Sequence, residues 1–432
     1  MKEILRKEIM PNVRLTHLQT DKFKTGVFSA TILTGLDREN ASKNALLPYV
    51  LRRGTALHND MDSIAALLDD AYGAVIEPVV RKKGETHCIG FYADFADDFF
   101  LNGKESVLEK VIGLTAEIMT APATKSGTLL HEYVDGEKNR LLDELEAQVN
   151  DKRSYVLSRS LELMCAKENY GINRLGRESQ IKKVTAAGLT KHYRRLIAGA
   201  PIELFYCGSA GYDRVENAVL EAFAALPRTG FIPIPQTEIL TRPVKSEPRV
   251  FIDRMDVGQG KLVIGFRMGE AALHPNHPAV LVFNALYGGA PTSKLFVNVR
   301  ERMSLCYYAS SQIDRHKGVM LVSSGIEFNK YEVAKNEILA QLEAIKDGDI
   351  SEAELESAKK TVMNAYKASM DSQSSLEGTY LDNCLSDIRY SPDVMAALVY
   401  DVTKKDVMDV AAGVCADAVY FLTGNGGDTD ES

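Results

Sequence analysis

One order of elements can be read twice along this chain, and that repetition constrains the fold more than any single motif. Strand and helix periodicities are the guide. In the first half, strands around Arg14–Leu18 and Gly26–Leu33 precede helices around Asn44–Arg53 and Met61–Ala71, with Gly73 as a stop. Strands Val75–Arg81 and Thr86–Phe95 turn at Lys83-Gly84. A long helical stretch from Lys104 to about Leu196 then leads to a strand at Ile202–Cys207. The second half repeats the order. Strands Arg249–Asp253 and Lys261–Met268 come first, then helices Pro278–Leu286 and Ser293–Glu301. Strands Cys306–Gln312 and Gly318–Gly325 follow, then helices Lys330–Ile345, Glu352–Ser369 and a stretch to about Val410, and a strand at Ala418–Leu422. Between the halves, Pro227, Pro233, Pro235, Pro243 and Pro248 mark an extended linker. The expected boundaries are a domain over 1–228, a linker over 229–247, a second domain over 248–424 and a polar, acidic, disordered tail over 425–432. The expected fold class is α+β: two homologous domains, each a mostly antiparallel sheet covered by helices.

Composition narrows the function classes. The chain has 432 residues, of which 45% are hydrophobic and 25% charged, as in ordinary globular proteins. The net charge of −8 argues against nucleic-acid binding, which needs a basic face. No apolar run nears the ~20 residues that span a membrane, and the opening M-K-E-I-L-R-K-E lacks the apolar core of a secretory signal. Six scattered cysteines with no C-x-x-C pair read as buried, reduced thiols and predict a cytoplasmic protein.

Four segments stand out. Asn44–Thr55 reads N-A-L-L-P-Y-V-L-R-R-G-T; Leu46, Leu47, Val50 and Leu51 are spaced for an apolar helix face. Pro48 lacks an N–H and costs about 3 kcal/mol inside a helix, so this helix is expected to start near Pro48 or kink there. Glu137 and Glu144 lie two turns apart on one helix face, beside a stripe of Leu130, Val134, Leu141, Leu142 and Leu145. Tyr287-Gly288-Gly289, then Ser293-Lys294-Leu295-Phe296, precede Arg300-Glu301 and Leu305-Cys306-Tyr307. Thr20-Asp21-Lys22-Phe23-Lys24-Thr25 sits between the first two strands, and Tyr72-Gly73-Ala74 follows the second helix. Taken singly, each also fits a plain reading: an amphipathic helix, a solvated acidic face, a surface arginine or a strand tyrosine.

Together, in this order and over nearly the full chain, they resemble the pitrilysin, insulinase and mitochondrial processing peptidase family. The last segment resembles a bacterial subgroup of inactive, peptidase-like members. In that family the run before Gly-Thr reads H-x-x-E-H, two zinc-binding histidines around a glutamate that activates water. Counted back from Gly54-Thr55, Ala45 and Tyr49 fall on the histidines and Pro48 on the glutamate. Glu144 falls on the third metal ligand and Glu137 on its companion. Alanine cannot ligate and proline cannot act as a base. The resemblance therefore implies no catalytic residue, no metal site and no cofactor in this chain. It also implies that Arg300 and Tyr307 match residues that contact substrate and support the oxyanion.

The function expected from this pattern is the non-catalytic subunit of a heterodimeric zinc metallopeptidase. The zinc would lie in a homologous partner, the substrate would be a peptide, and Arg300 and Tyr307 would complete the partner's active site. A peptide-binding or scaffold protein is the rival reading; an enzyme with an unrecognised metal site is a third. The histidines do not favour the third. His274 and His277 read as a loop pair, and His87, His131 and His192 as isolated.

Overall fold

The computed structural model describes residues 4–101, 106–274, 278–386 and 390–425. Residues 426–432 of the expected disordered tail, and His277, lie outside the described residues. The chain forms two compact units. The first gathers residues up to Ala147, Ile172–Gln236 and Gln373–Leu381. The second gathers Gln148–Gly171, Thr237–Ser372 and residues from Asp382 onward. Residues 226–248, which include the prolines, carry no helix or strand.

The first unit opens with strands β1 (Ile4–Met10), β2 (Val13–Gln19) and β3 (Thr25–Gly35), then helices α1 (Ala41–Arg52) and α2 (Met61–Asp70). Strands β4 (Val75–Lys83) and β5 (Thr86–Ala96) follow, then α3 (Val107–Thr120), a hairpin of β6 (Thr124–Lys125) and β7 (Thr128–Leu129), and α4 (His131–Ala147). Helix α5 (Lys152–Met164) belongs to the second unit. Helices α6 (Glu178–Ile181) and α7 (Ala186–Gly199), strand β8 (Ile202–Gly208) and helix α8 (Tyr212–Ala222) complete the first half. The expected single helical stretch over 104–196 is thus several pieces, broken at the hairpin after Pro122 and at loops around Gly171 and Gly176. Strand β1 and helix α8 add to the expected order.

The second half runs β9 (Arg249–Met255), β10 (Gly260–Arg267), α9 (Pro278–Asn284), two π-helical segments (Ala285–Gly289 and Leu295–Arg302), β11 (Cys306–Asp314) and β12 (Val319–Ile326). Helices α10 (Tyr331–Lys346), α11 (Glu352–Ser369), α12 (Gln373–Ser386), α13 (Pro392–Tyr400) and α14 (Lys404–Gly413) lead to β13 (Cys415–Gly424).

The two sheets share one topology. The first has the order β1-β2-β8-β3-β5-β4 and the second β11-β12-β10-β13-β9. Read from the opposite end, the second matches β2-β8-β3-β5-β4. The pairs β2·β8 and β13·β9 are parallel and the other main pairs antiparallel. Both units are therefore α+β domains of one design. One face of each sheet meets its unit's main helical layer: Phe28, Phe91 and Leu204 pack with Leu46 and Val50, and Phe266 and Val419 pack with Val280 and Val407.

The opposite face of each sheet takes a helix from the other half of the sequence. In the first unit, Leu376 and Tyr380 of α12 pack on Leu18, Val27 and Phe205. Gln373 Nε2 donates to the carbonyls of Thr25 at 2.9 Å and Cys207 at 3.0 Å. Buried Glu377 accepts from Ser29 Oγ and pairs with Arg81 at 2.5 Å. In the second unit, Val156 and Met164 of α5 pack on Val263, Leu321 and Tyr420. Below them lies a buried ionic cluster. Arg267 donates to Asp417 at 2.9 Å and to Glu168 at 2.6 and 3.0 Å, and Lys317 Nζ lies 2.8 Å from Glu168. Burial pushes the Glu168 carboxyl up, but hydrogen bonds and charge from Arg267 and Lys317 outweigh it and hold the carboxyl below its ordinary range.

Four of the cysteines, Cys88, Cys165, Cys207 and Cys306, are buried and none is in a disulfide. Burial raises the Cys165 and Cys207 thiols to about 12, which leaves them inert at neutral pH. Cys415 departs from the expectation of buried thiols: it opens β13 and is exposed. Among the described residues, no helix is long and apolar enough to cross a membrane.

Candidate functional site: an arginine-centred cluster on α1 and α4

Helix α1 does not start at Pro48. It begins at Ala41 and carries Pro48 in its interior without a break. Asp37 prepares the start: its Oδ1 accepts the backbone N–H of Glu39 at 2.9 Å and of Asn40 at 2.8 Å. Ala45, Leu46, Leu47, Val50 and Leu51 are then fully buried. At roughly 25 cal/mol per Å² of apolar surface, burying four large side chains outweighs the ~3 kcal/mol cost of the proline. The loop carrying Gly176 packs against the first turn. Gly176 has φ +82, and a Cβ there would lie 2.1 Å from Ser42 Oγ. Gly73 likewise has φ +71 beyond the end of α2.

This packing sets Tyr49, on α1, against α4. Ala45 and Pro48 are buried and present no ligating atom. Glu137 and Glu144 project from α4, and Arg140 stands between them at the i+3 and i+4 spacings that bring helical side chains together. Arg140 Nε donates to Glu137 Oε2 at 2.6 Å, and Nη1 donates to Glu144 Oε2 at 3.0 Å. Its guanidinium carbon lies 3.6 Å from the centroid of the Tyr49 ring. Two further arginines flank the pair. Arg53 Nη1 is 3.5 Å from Glu137, and Arg174 Nη2 is 3.9 Å from Glu144. Arg174 also donates to the Val80 carbonyl of β4, which ties this cluster to the edge of the sheet. The Arg53 guanidinium sits 5.3 Å from the Tyr133 ring centroid.

The electrostatics follow from this crowding. Burial would lower the Arg140 pKa, but the hydrogen bond and charge of Glu137, with Tyr49 and Glu144, raise it above its ordinary value. Burial and the Glu144 charge raise the Tyr49 phenol, so it stays protonated at neutral pH. Three guanidinium groups thus face two carboxylates at the positions that the resemblance sets on the family's metal site. A guanidinium cannot give up its proton or leave. Zinc does not fit these residues: Ala45 and Tyr49 offer no imidazole, and Glu137 and Glu144 are already bound by Arg140. Among the described residues, no group of three or more His, Cys, Asp or Glu could hold a metal. Arg140 Nη2 and Arg53 Nε are buried without hydrogen-bond partners.

Sequence reasoning missed Arg140, although its spacing between the two glutamates was a readable signal. It also took His87 and His192 as isolated, and the structure corrects this. Asn44, beside Ala45 on α1, bridges them: His192 Nε2 lies 2.7 Å from Asn44 Oδ1, and Asn44 Nδ2 lies 3.2 Å from His87 Nδ1. Burial lowers His87 to about 3 and His192 to about 4.

Arg300 and Tyr307 belong to the second unit, and the cluster to the first. Arg300 lies in the π-helical segment, 4.5 Å from the Phe296 ring centroid and 3.6 Å from Glu301, with its side chain 40% exposed. Tyr307 is 64% exposed on β11, an edge strand. The register passes from Cys306 opposite Ile326 to Tyr308 opposite Gly325, so Tyr307 is the extra residue of a bulge. His274 is exposed at a loop before α9.

Comparison with known proteins fits this geometry. Residues 183–362 match the family described as "Peptidase M16 inactive domain". The chain is 32% identical over 410 residues to the "Probable inactive metalloprotease YmfF" of Bacillus subtilis (strain 168), covering 95% of each chain. A conserved protein from Enterococcus faecalis V583 superposes with a TM-score of 0.88 at 27% identity, covering 98% of this chain and 99% of that one. The peptidase M16 inactive domain from Pseudomonas fluorescens superposes at 0.79 with 14% identity, covering 99% of each, and so shares the fold. The duplicated sheet topology and these likenesses lead to one conclusion: the chain belongs to the M16 peptidase family and is similar to members described as inactive.

Proposed function

We propose that this chain is the non-catalytic subunit of a heterodimeric zinc metallopeptidase, binding peptide substrate and lending Arg300 and Tyr307 to a zinc-bearing homologue. The observation that carries this reading is the contrast between the two sets of residues. The positions that the resemblance sets on the metal site hold glutamates already paired with arginines, whereas the Tyr307 side chain stands in solvent on a bulge and Arg300 pairs with its neighbour Glu301 and lies over Phe296. Both groups donate hydrogen bonds, as stabilising a developing oxyanion requires. A cytoplasmic location belongs to the same reading and is supported by six cysteines without a disulfide.

The test is co-expression with a homologue that keeps H-x-x-E-H, followed by peptide cleavage. Arg300→Ala or Tyr307→Phe should lower kcat by about 10²–10³ with assembly intact. Unchanged turnover would remove the in-trans role and leave the chain as a peptide-binding scaffold.

A further inference from the structure

The internal duplication allows each sheet edge to be compared with its counterpart, and one edge stands out. Strand β9 corresponds to β2, since each pairs in parallel with the last strand of its own sheet. In the first unit, β1 pairs antiparallel with β2, and Val13 and Leu15 are fully buried. Among the described residues, nothing pairs with the outer side of β9. Val250 and Ile252 lie opposite Val419 and Phe421, both core residues, yet each is 55% exposed.

The other edges carry features that discourage pairing. Strand β1 presents Arg6, Lys7 and Glu8; β4 contains Pro78 and ends in Arg81, Lys82 and Lys83; β11 is bulged at Tyr307. Strand β9 instead sets three consecutive apolar residues, Val250, Phe251 and Ile252, between its charges, with Val250 and Ile252 exposed.

We propose that β9 is a self-association edge, pairing antiparallel with β9 of a second copy of this chain about a two-fold axis at Phe251. The register follows from charge. Arg249-Val250-Phe251-Ile252-Asp253 reads as cation, three apolar residues, anion. With Phe251 opposite itself, Val250 meets Ile252 and Arg249 meets Asp253, twice over by symmetry. Moving the axis to Ile252 sets Val250 against Arg254 and Phe251 against Asp253. Moving it to Asp253 sets the carboxylates against each other. Arg249 and Asp253 already have partners within the unit, Asp417 at 2.8 Å for the first, and Arg159 at 3.2 Å and Tyr420 at 3.0 Å for the second. The cross-strand contacts would extend that network. The resulting sheet would run continuously through both copies, with the two apolar patches covering each other.

Sedimentation of the purified chain alone tests this, independently of any zinc-bearing partner. The expected result is a dimer at micromolar concentration that becomes a monomer in Val250→Lys/Ile252→Lys, with the circular dichroism of the folded chain retained and a Tm that no longer depends on protein concentration. A register-specific measurement accompanies it. In a Cys415→Ser background, a mixture of Val250→Cys and Ile252→Cys chains should form a disulfide-linked dimer on mild oxidation, and neither alone should. Opposed strand residues lie about 4.5–5.5 Å apart between Cα atoms, within disulfide reach. A monomeric parent chain, a dimer that survives the lysine substitutions, or cross-linking no greater in the mixture would each overturn the proposal. None of these outcomes bears on the role of Arg300 and Tyr307.

Discussion

At the scale of single residues, Arg140 is the cation that Glu137 and Glu144 share. Arg140→Gln would leave Glu137, 8% exposed at its side chain, with only Arg53 at 3.5 Å. Breaking a buried pair costs about 3–5 kcal/mol, and Arg53 compensates in part. The expected loss is therefore about 2–4 kcal/mol in urea unfolding, against about 1 kcal/mol for Arg174→Gln, which loses a part-exposed pair at 3.9 Å and a hydrogen bond to the Val80 carbonyl. The histidine pair makes a separate prediction. His87 and His192 are held neutral in the folded chain, with pKa values of about 3 and about 4 against 6.5 when unfolded. The unfolded state thus binds more protons below pH 6.5, and stability falls as pH drops from there towards 4. At about 1.4 kcal/mol per unit, His87 alone removes about 3 kcal/mol by pH 4. Chemical denaturation between pH 7 and pH 4.5 would show this slope, and Asn44→Ala should alter it through the lost bridge.

At the scale of elements, α1 shows how burial overrides local preference. Pro48→Ala restores an N–H that can donate to the Asn44 carbonyl one turn earlier. The ~3 kcal/mol helical gain is offset by lost ring contacts and a freer unfolded chain. The expected net is about 1 kcal/mol of stabilisation, read as a higher Tm; a lower Tm would show that the proline ring is needed for packing. What the sequence made legible follows the same logic. Strands β3, β5, β8, β10, β12 and β13 are buried runs and could be read directly. Strand β1 could not, because Arg6, Lys7 and Glu8 give an edge strand the composition of a loop. Helix α8 could have been found from Val215, Ala218 and Val219. The motifs of α1 and α4 were readable because each lies within a single helix. Arg174 and the link from Asn44 to His192 were not, because such partners meet only after the sheet and helices are assembled.

At the scale of the whole molecule, the exchanged helices decide what can be separated. Glu168→Ala would leave Arg267 and Lys317, both fully buried, without their shared carboxylate. The expected cost is about 3–5 kcal/mol by thermal or urea unfolding; a neutral result would mean that Asp417 alone can hold Arg267. For the parent chain, the depressed Glu168 carboxyl contributes stability above its unfolded pKa, and that contribution is lost as pH falls through and below the ordinary carboxylate range. The reciprocal borrowing has a further consequence. A protease that cuts once within residues 226–248 severs the only backbone route through that stretch, yet each fragment still holds a helix seated in the other fragment's sheet. The nicked halves should therefore travel together through native gel filtration and part only in denaturant, interlocked like two hands with a finger exchanged.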